Sequence, residues 1–267
     1  MVKTALLICL LPCLLAGQRA GQLMGARSAG LAQSSVALQD VWSIYHNQAG
    51  MTALETTHIA SCYQQRYFLY DLNLGSLALV QPLGKSRLGF SIDFFGFELY
   101  HETNFGLAYA LALGDKISAG IKLNYHRLAI AESDFSSGRL ISEAGLMLQA
   151  LEKLRLGIHL YHPRAILTRT NNHQVPTSFR FGAACEISDQ LMLAVELFNV
   201  LGKRESIRAG LEYDLATIIT CRLGIATNPV RHSLGLGFNI DGLSLDLGFE
   251  YLAALGGTTT ASLQYDF

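Results

Sequence analysis

Any chemistry in this chain would have to come from imidazoles, carboxylates and guanidiniums that sit at alternate positions of extended segments. The eight histidines, His46, His58, His101, His126, His159, His162, His173 and His232, are scattered along the sequence. None belongs to a Gly-x-Ser-x-Gly elbow or a His-Glu-x-x-His helix, and phosphate loops and nucleotide fingerprints are absent. His159 and His162 could pair with an acid near one rim, an arrangement that suits a structural or pore-lining imidazole better than a catalytic one. Cys62, Cys185 and Cys221 are odd in number and lack the close spacings of metal sites, so they read as apolar fillers rather than ligands or a Cys185 to Cys221 disulfide. The chemistry-bearing residues therefore predict no enzyme, no cofactor and no metal centre.

What these residues do share is a face. In Gly242–Ala253 the apolar set Leu243, Leu245, Leu247, Phe249 and Tyr251 alternates with Ser244, Asp246, Gly248 and Glu250. The carboxyl-terminal GTTTASLQYDF alternates in the same way, Thr259, Ala261, Leu263, Tyr265 and Phe267 against Thr258, Thr260, Ser262, Gln264 and Asp266. Period-two alternation places successive side chains on opposite faces of a pleated strand. The composition is 50% hydrophobic and only 15% charged, with mean hydropathy +0.28. Beyond the leader, however, no apolar run approaches the roughly 18 to 20 residues of a spanning helix. Dispersed apolar residues on one face of many strands predict an all-β fold, a transmembrane antiparallel β-barrel whose outside is greasy and whose closed ladder satisfies the backbone.

About fourteen strand-like segments follow one another, from Ser61–Asp71 and Leu74–Gln81 through Arg139–Ala150 to Gly257–Phe267. Short turns are expected at Pro82–Lys85, Gly114–Asp115, Leu151–Glu152, Ser188–Asp189, Leu215–Ala216 and Asp241–Gly242, the last a strong hairpin signal. The other connections include Glu132–Gly138, Pro163–Pro176 and Ala254–Gly256, and Pro163–Pro176 is the longest. This parity is that of a barrel with both ends in the periplasm. By the same alternation the lumen collects Lys122, His126, Arg155, Arg180, Arg208 and Arg222, together with Asp93, Glu143, His159, Glu186, Glu196, Glu212, Asp246, Glu250 and Asp266. Interleaved signs, with the small residues Gly106, Ala108, Ala110, Ala112, Gly182 and Ala184 also facing inward, predict ion pairs around a filling segment more than an open channel.

That segment lies at the start of the chain. Lys3 and the short apolar run Ala5 to Ala16, followed by Gly17, Gln18, Arg19 and Ala20, have the form of a signal peptide, cleaved after Gly17 or Ala20. Cys9 and Cys13 leave with it. From Gln22 to about Ala53 alternation stops, small residues dominate, and Asp40 could cap a helical turn reaching His46. The expected organisation is residues 1–20 as leader, 21–58 as a plug or hatch, and 59–267 as barrel. Plug candidates are Arg27, Asp40, Trp42, Tyr45, His46, Asn47 and Gly50, with Arg27 and Asp40 pairing to wall charges and Trp42 packing on small wall residues.

The stretch Gly25, Ala26, Arg27, Ser28, Ala29 and Gly30, followed by Asp40, Trp42, Asn47, Ala49 and Gly50, resembles the opening of barrels in the long-chain fatty acid transporter (FadL-like) superfamily, and more closely that of PorV/PorQ-like proteins of Bacteroidota. The proline of the family's turn is Gln48 here. The resemblance implies an outer-membrane barrel of a Gram-negative bacterium, with Tyr265 and Phe267 as the signal read by the barrel-assembly machinery. For function it implies, first, an accessory barrel of type IX secretion or surface attachment, with secretion-system proteins or secreted cargo as partners. A passive transporter of hydrophobic small molecules and an orphan structural barrel are the alternatives. Long outer loops would favour docking, whereas a continuous apolar path past Trp42 and Tyr45 would favour uptake. Outer-membrane lipids are expected partners, and with a net charge of −1 nucleic acid is not.

Overall fold

The computed structural model describes residues 24–131, 135–163 and 175–267. The leader, most of the expected Pro163–Pro176 connection and His173 lie outside the described residues. Fourteen strands close into an antiparallel barrel in which each strand pairs with the next and the last pairs with the first. They are β1 His58–Gln65, β2 Asn73–Leu83, β3 Ser86–Phe97, β4 Tyr100–Ala112, β5 Ile117–Ile130, β6 Phe135–Leu151, β7 Leu154–Tyr161, β8 Ser178–Glu186, β9 Leu191–Val200, β10 Ser206–Ala216, β11 Ile219–Ala226, β12 Arg231–Ile240, β13 Leu243–Leu252 and β14 Gly256–Asp266. Closure is complete because β1 runs in register along β14 from His58 opposite Asp266 to Gln65 opposite Thr259. Every strand thus has a neighbour on each side. The start of β6, which runs past the end of β7 before their pairing begins at Glu143 opposite Tyr161, is laddered on one side alone among the described residues.

Alternation sets the two faces of the wall as the sequence predicts. On β13, Leu243, Leu245, Leu247 and Tyr251 are each more than 40% exposed on the outside, while Asp246 and Glu250 are buried inside. Leucines, isoleucines, tyrosines and phenylalanines on nearly every strand repeat this pattern, giving an apolar outer belt far larger than a water-soluble monomer exposes. The six connections 84–85, 113–116, 152–153, 187–190, 217–218 and 241–242, each of two to four residues, lie at one end of the barrel, as do the two ends of the strand array at His58 and Phe267, whose N–H donates to Thr57 O. The opposite end carries the longer connections together with short ones, 98–99 and 253–255 among them. We call the first the turn end and the second the loop end. The Asp241–Gly242 hairpin forms as expected: both residues are left-handed, with φ of 48° and 81°, as a two-residue primed turn requires.

Among the boundaries that differ from the sequence reading, including the start of the first strand at His58 instead of Ser61, three have a local reason. The first strand stops at Gln65, not Asp71, because the chain turns through two 3₁₀ segments at Arg66–Phe68 and Tyr70–Leu72. The sixth strand starts at Phe135 instead of Arg139, since 135–138 pair with Arg127–Ile130 of β5. A run that is polar on both faces hides this extension from an alternation argument. The turn expected at Leu215–Ala216 falls at 217–218, where a bulge between Asp214 and Ala216 shifts the register.

Candidate functional site

The lumen is filled by residues 24–54, almost all of them buried. The segment has little regular structure: α1 is Ala26–Gly30, α2 is Ser43–His46, and a 3₁₀ stretch covers Gln48–Ala53. Asp40 is not the helix cap that its position suggests. Trp42 occupies that position without a capping side-chain bond, Ser43 Oγ accepts from Asp40 N–H, and the Asp40 carboxylate turns to Arg27.

Backbone so irregular can lie in the lumen only if wall groups satisfy it, and glycines let it approach. Gly120 faces Gly145, Gly157 faces Gly182, Gly210 faces Gly224 and Gly235 faces Gly248 across adjacent strands. A Cβ on Gly157 would collide with Val36 O, and one on Gly224 with Ala32 N. Plug backbone therefore rests on bare wall backbone. The sequence reading placed Gly106, Gly182 and Gly248 on the inward face but not this set of facing pairs. Its signal was a glycine at an inward position on successive strands, which only the register aligns.

From β8 to β13 the lumen is ionic. Glu196, whose side chain has 0% exposure, takes both ends of the Arg180 guanidinium at 2.7 and 2.6 Å and Arg208 at 3.1 Å. The same carboxylate accepts the backbone N–H groups of Ser35 at 3.0 Å and Val36 at 2.9 Å. Arg180 also donates to His46 O at 2.9 Å and Ser35 Oγ at 3.0 Å. A second network runs from Asp40 through Arg27, Glu212 and Arg222 to Asp246, with contacts of 2.6 to 3.0 Å. Arg27 thus reaches a wall charge as expected, whereas Asp40 pairs within the plug and not with the wall. Gln33 adds a bond to Glu250, which Arg231 also holds.

In the middle of the lumen Gln48 and His159 converge on Glu143 at 2.9 and 3.0 Å, and Asn47 Nδ2 donates to Val36 O and to the wall carbonyl of Leu146. His159 is therefore a buried partner of a carboxylate and does not sit at the rim. His46 is buried and donates its Nε2–H to Met24 O. Burial, reinforced by the Arg180 charge, lowers its pKa and keeps it neutral. Gly50 admits no side chain, since Leu38 O and Ser43 Oγ would lie 2.7 Å from a Cβ.

Other expected lumen residues sit apart from the plug. His126 pairs with Glu102 at 3.1 Å, and Asp266, expected inside, is exposed at the turn end. Arg155 pairs with Glu186 at 2.7 Å beside a cavity of about 170 Å³ at the turn end, into which Arg27 and Glu212 also project. On the turns themselves Lys153 holds Asp189 at 2.9 Å, and this bond keeps the Asp189 carboxyl below the usual carboxylate range. Tyr265 stacks edge-on against Phe267 at 4.9 Å on the outer surface.

From β1 to β4 the lumen changes character. Plug residues Met24, Val41, Trp42, Ile44, Tyr45, Met51 and Leu54 pack against Ala60, Cys62, Leu74, Ala78, Val80, Phe95, Ala108 and Ala110 in one apolar cluster. Trp42 is 1% exposed and shares this cluster with the small wall residues Ala60, Ala78, Ala108 and Ala110. The cluster extends to Leu72, Tyr67 and Tyr100 at the loop end and to Leu54 and Val80 towards the turn end, so an apolar seam runs the height of the barrel. Tyr45 marks the boundary of the two halves: its hydroxyl donates to the wall carbonyls of Leu77 and Ile92, and Lys122 Nζ lies 4.3 Å above its ring. The three cysteines among the described residues are free, and Cys62 alone of them belongs to this seam.

The barrel fold has counterparts among solved structures. The Ralstonia pickettii toluene transporter TbuX superposes with a TM-score of 0.73 at 12% identity, over 93% of this chain and 99% of that one. The fold is shared. The CymD monoaromatic hydrocarbon channel gives 0.68 at 14% identity over 93% and 99%, and a Pseudomonas aeruginosa FadL homologue gives 0.68 at 13% over 93% and 100%. The chain matches no protein-family profile and no curated protein sequence.

Proposed function

We propose that this chain is a non-catalytic outer-membrane barrel that passes small hydrophobic molecules passively along the seam between its amino-terminal plug and strands β1–β4. The observation that carries the reading is the division of the lumen. If the plug were only a stopper, nothing would require its apolar residues to be segregated. Here Met24, Val41, Trp42, Ile44, Tyr45, Met51 and Leu54 join the wall in one continuous file from Tyr67 and Leu72 at the loop end to Leu54 near the turn end. Only a smaller apolar cluster, Leu31, Ala37 and Leu38 with Ala184 and Met192, lies on the ionic side. A greasy molecule moving along that file would exchange one apolar neighbour for another and never cross the buried ion pairs. The likeness to a toluene transporter and a monoaromatic hydrocarbon channel supports the same substrate class. The secretion-accessory role, the first expectation from the sequence, rests on the amino-terminal resemblance alone, so we prefer transport, which stood there as an alternative. In the proposed setting residues 1–20 are a leader removed on export, Tyr265 and Phe267 mark the last strand for assembly, and the turn end faces the periplasm.

The side chains fill the seam, so passage requires them to move, and a charge fixed in the file should stop it. Cells of a Gram-negative host with intact lipopolysaccharide, which excludes hydrocarbons, should take up a labelled monoaromatic hydrocarbon faster when they carry this protein. Ala78→Lys, buried at the seam, should abolish the gain per folded barrel in the membrane, with the amount of folded barrel measured alongside because a lone buried charge also lowers stability. Uptake no faster than in the empty host would sink the reading.

A further inference from the structure

The connection between β1 and β2 does not simply loop over the rim. Tyr67 and Phe68 are consecutive left-handed residues, with φ of 56° and 55°, a conformation that non-glycine residues hold only when their surroundings impose it. Here the surroundings impose it from both sides of the wall. Tyr67 packs inward against the loop end of the apolar seam, and its N–H donates to Thr258 Oγ1 at 3.3 Å, a side chain on the lumen face of β14. Phe68 turns outward and stacks on Phe249 of the outer wall, with ring centroids 6.3 Å apart. Its ring lies over Gly257, where a Cβ would be 2.6 Å away. Beyond it Leu69 and Tyr70 are exposed, and Leu72 returns into the seam.

We infer that residues 66–70 are a strap that closes the loop end of the seam, with Phe68 latched on the outside of the wall to hold Tyr67 over the opening inside. Because the two left-handed residues are consecutive, loss of the outer aromatic contact removes one of the restraints that hold Tyr67 over the opening, so latch and lid are coupled. Gly257 is the seat of the latch: the absence of a side chain there leaves the ring its place. The inference rests on the transport reading for its purpose, but not for its test.

Cys62 lies in the seam below the strap and supplies a native reporter. In the folded protein exported without its leader, and so without Cys9 and Cys13, carrying Cys185→Ser and Cys221→Ser, modification of Cys62 by N-ethylmaleimide in detergent should be slow. Phe68→Ala should accelerate it about fivefold, as expected from the loss of one aromatic pair. Gly257→Ala, whose methyl displaces the ring, should do the same, and Phe249→Ala carries the test if Phe68→Ala does not fold. Phe90→Ala removes an outward aromatic of β3 that is exposed and remote from the strap, and should leave the rate unchanged. Unchanged labelling in the folded latch variants, or an equal rise with Phe90→Ala, would overturn the strap. Faster labelling with no change in hydrocarbon uptake would keep the strap and count against the transport reading.

Discussion

At the scale of single residues, Glu196 shows why the plug stays in place. One carboxylate takes two guanidiniums and two backbone N–H groups, Ser35 and Val36, and a carboxylate this deeply buried is stable only because every lone pair is engaged. Removing it leaves Arg180 and Arg208 facing each other without an anion. Glu196→Ala should therefore cost about 3 to 5 kcal/mol, the usual penalty for stranding a buried charge, read as a lower denaturant midpoint of the heat-modifiable folded form. A midpoint within error of the parent would show that the plug is anchored elsewhere. The Arg27–Asp40 pair is half as informative because Arg27 keeps 22% of its side-chain exposure and part of its attraction is screened. Arg180 and Arg208 were legible in the sequence as inward charges. Their common partner was not, because which of several inward carboxylates an arginine meets depends on strand tilt and register.

At the scale of the strand, facing is the property that the sequence states most directly. Leu245 is outward and 41% exposed, and its neighbour Asp246 is inward and 4% exposed, so a charge at 245 would have to be carried into hydrocarbon. Leu245→Arg should lower barrel stability by about 2 to 4 kcal/mol near the bilayer midplane, whereas Ser244→Asn should leave it near the parent value. Both are measured by reversible unfolding in lipid vesicles, and equal losses would mean that the facing is inverted. Element boundaries were less legible. The end of β1 was hidden because Tyr67, Phe68 and Tyr70 continue an apolar pattern that the backbone abandons. The start of β6 was hidden because Ser136 and Ser137 carry no hydrophobic contrast.

At the scale of the whole molecule the plug and the wall are separable by construction. The ladder that closes β1 on β14 uses no plug residue, while the plug is held by side chains and by close approach to wall glycines. Deletion of 24–54 should leave a barrel that still assembles and closes, but with a lumen lined by unneutralised charges and bare glycines that fills with water. Planar-bilayer recordings should then show a steady ohmic conductance that the parent lacks. Closed traces from both proteins would mean that the wall itself collapses inward and that the segment is not what seals it.

The sequence by itself determined the barrel: period-two alternation is a local property that survives any error in strand order, so strand number, facing and the existence of a filling segment could all be read from it. Tertiary structure alone decided how that segment sits. The facing glycine pairs, the four-partner carboxylate, the apolar seam along β1–β4 and the strap across the rim each join residues far apart in sequence. Closure of the wall and its register bring them together, and no period in the sequence records that distance.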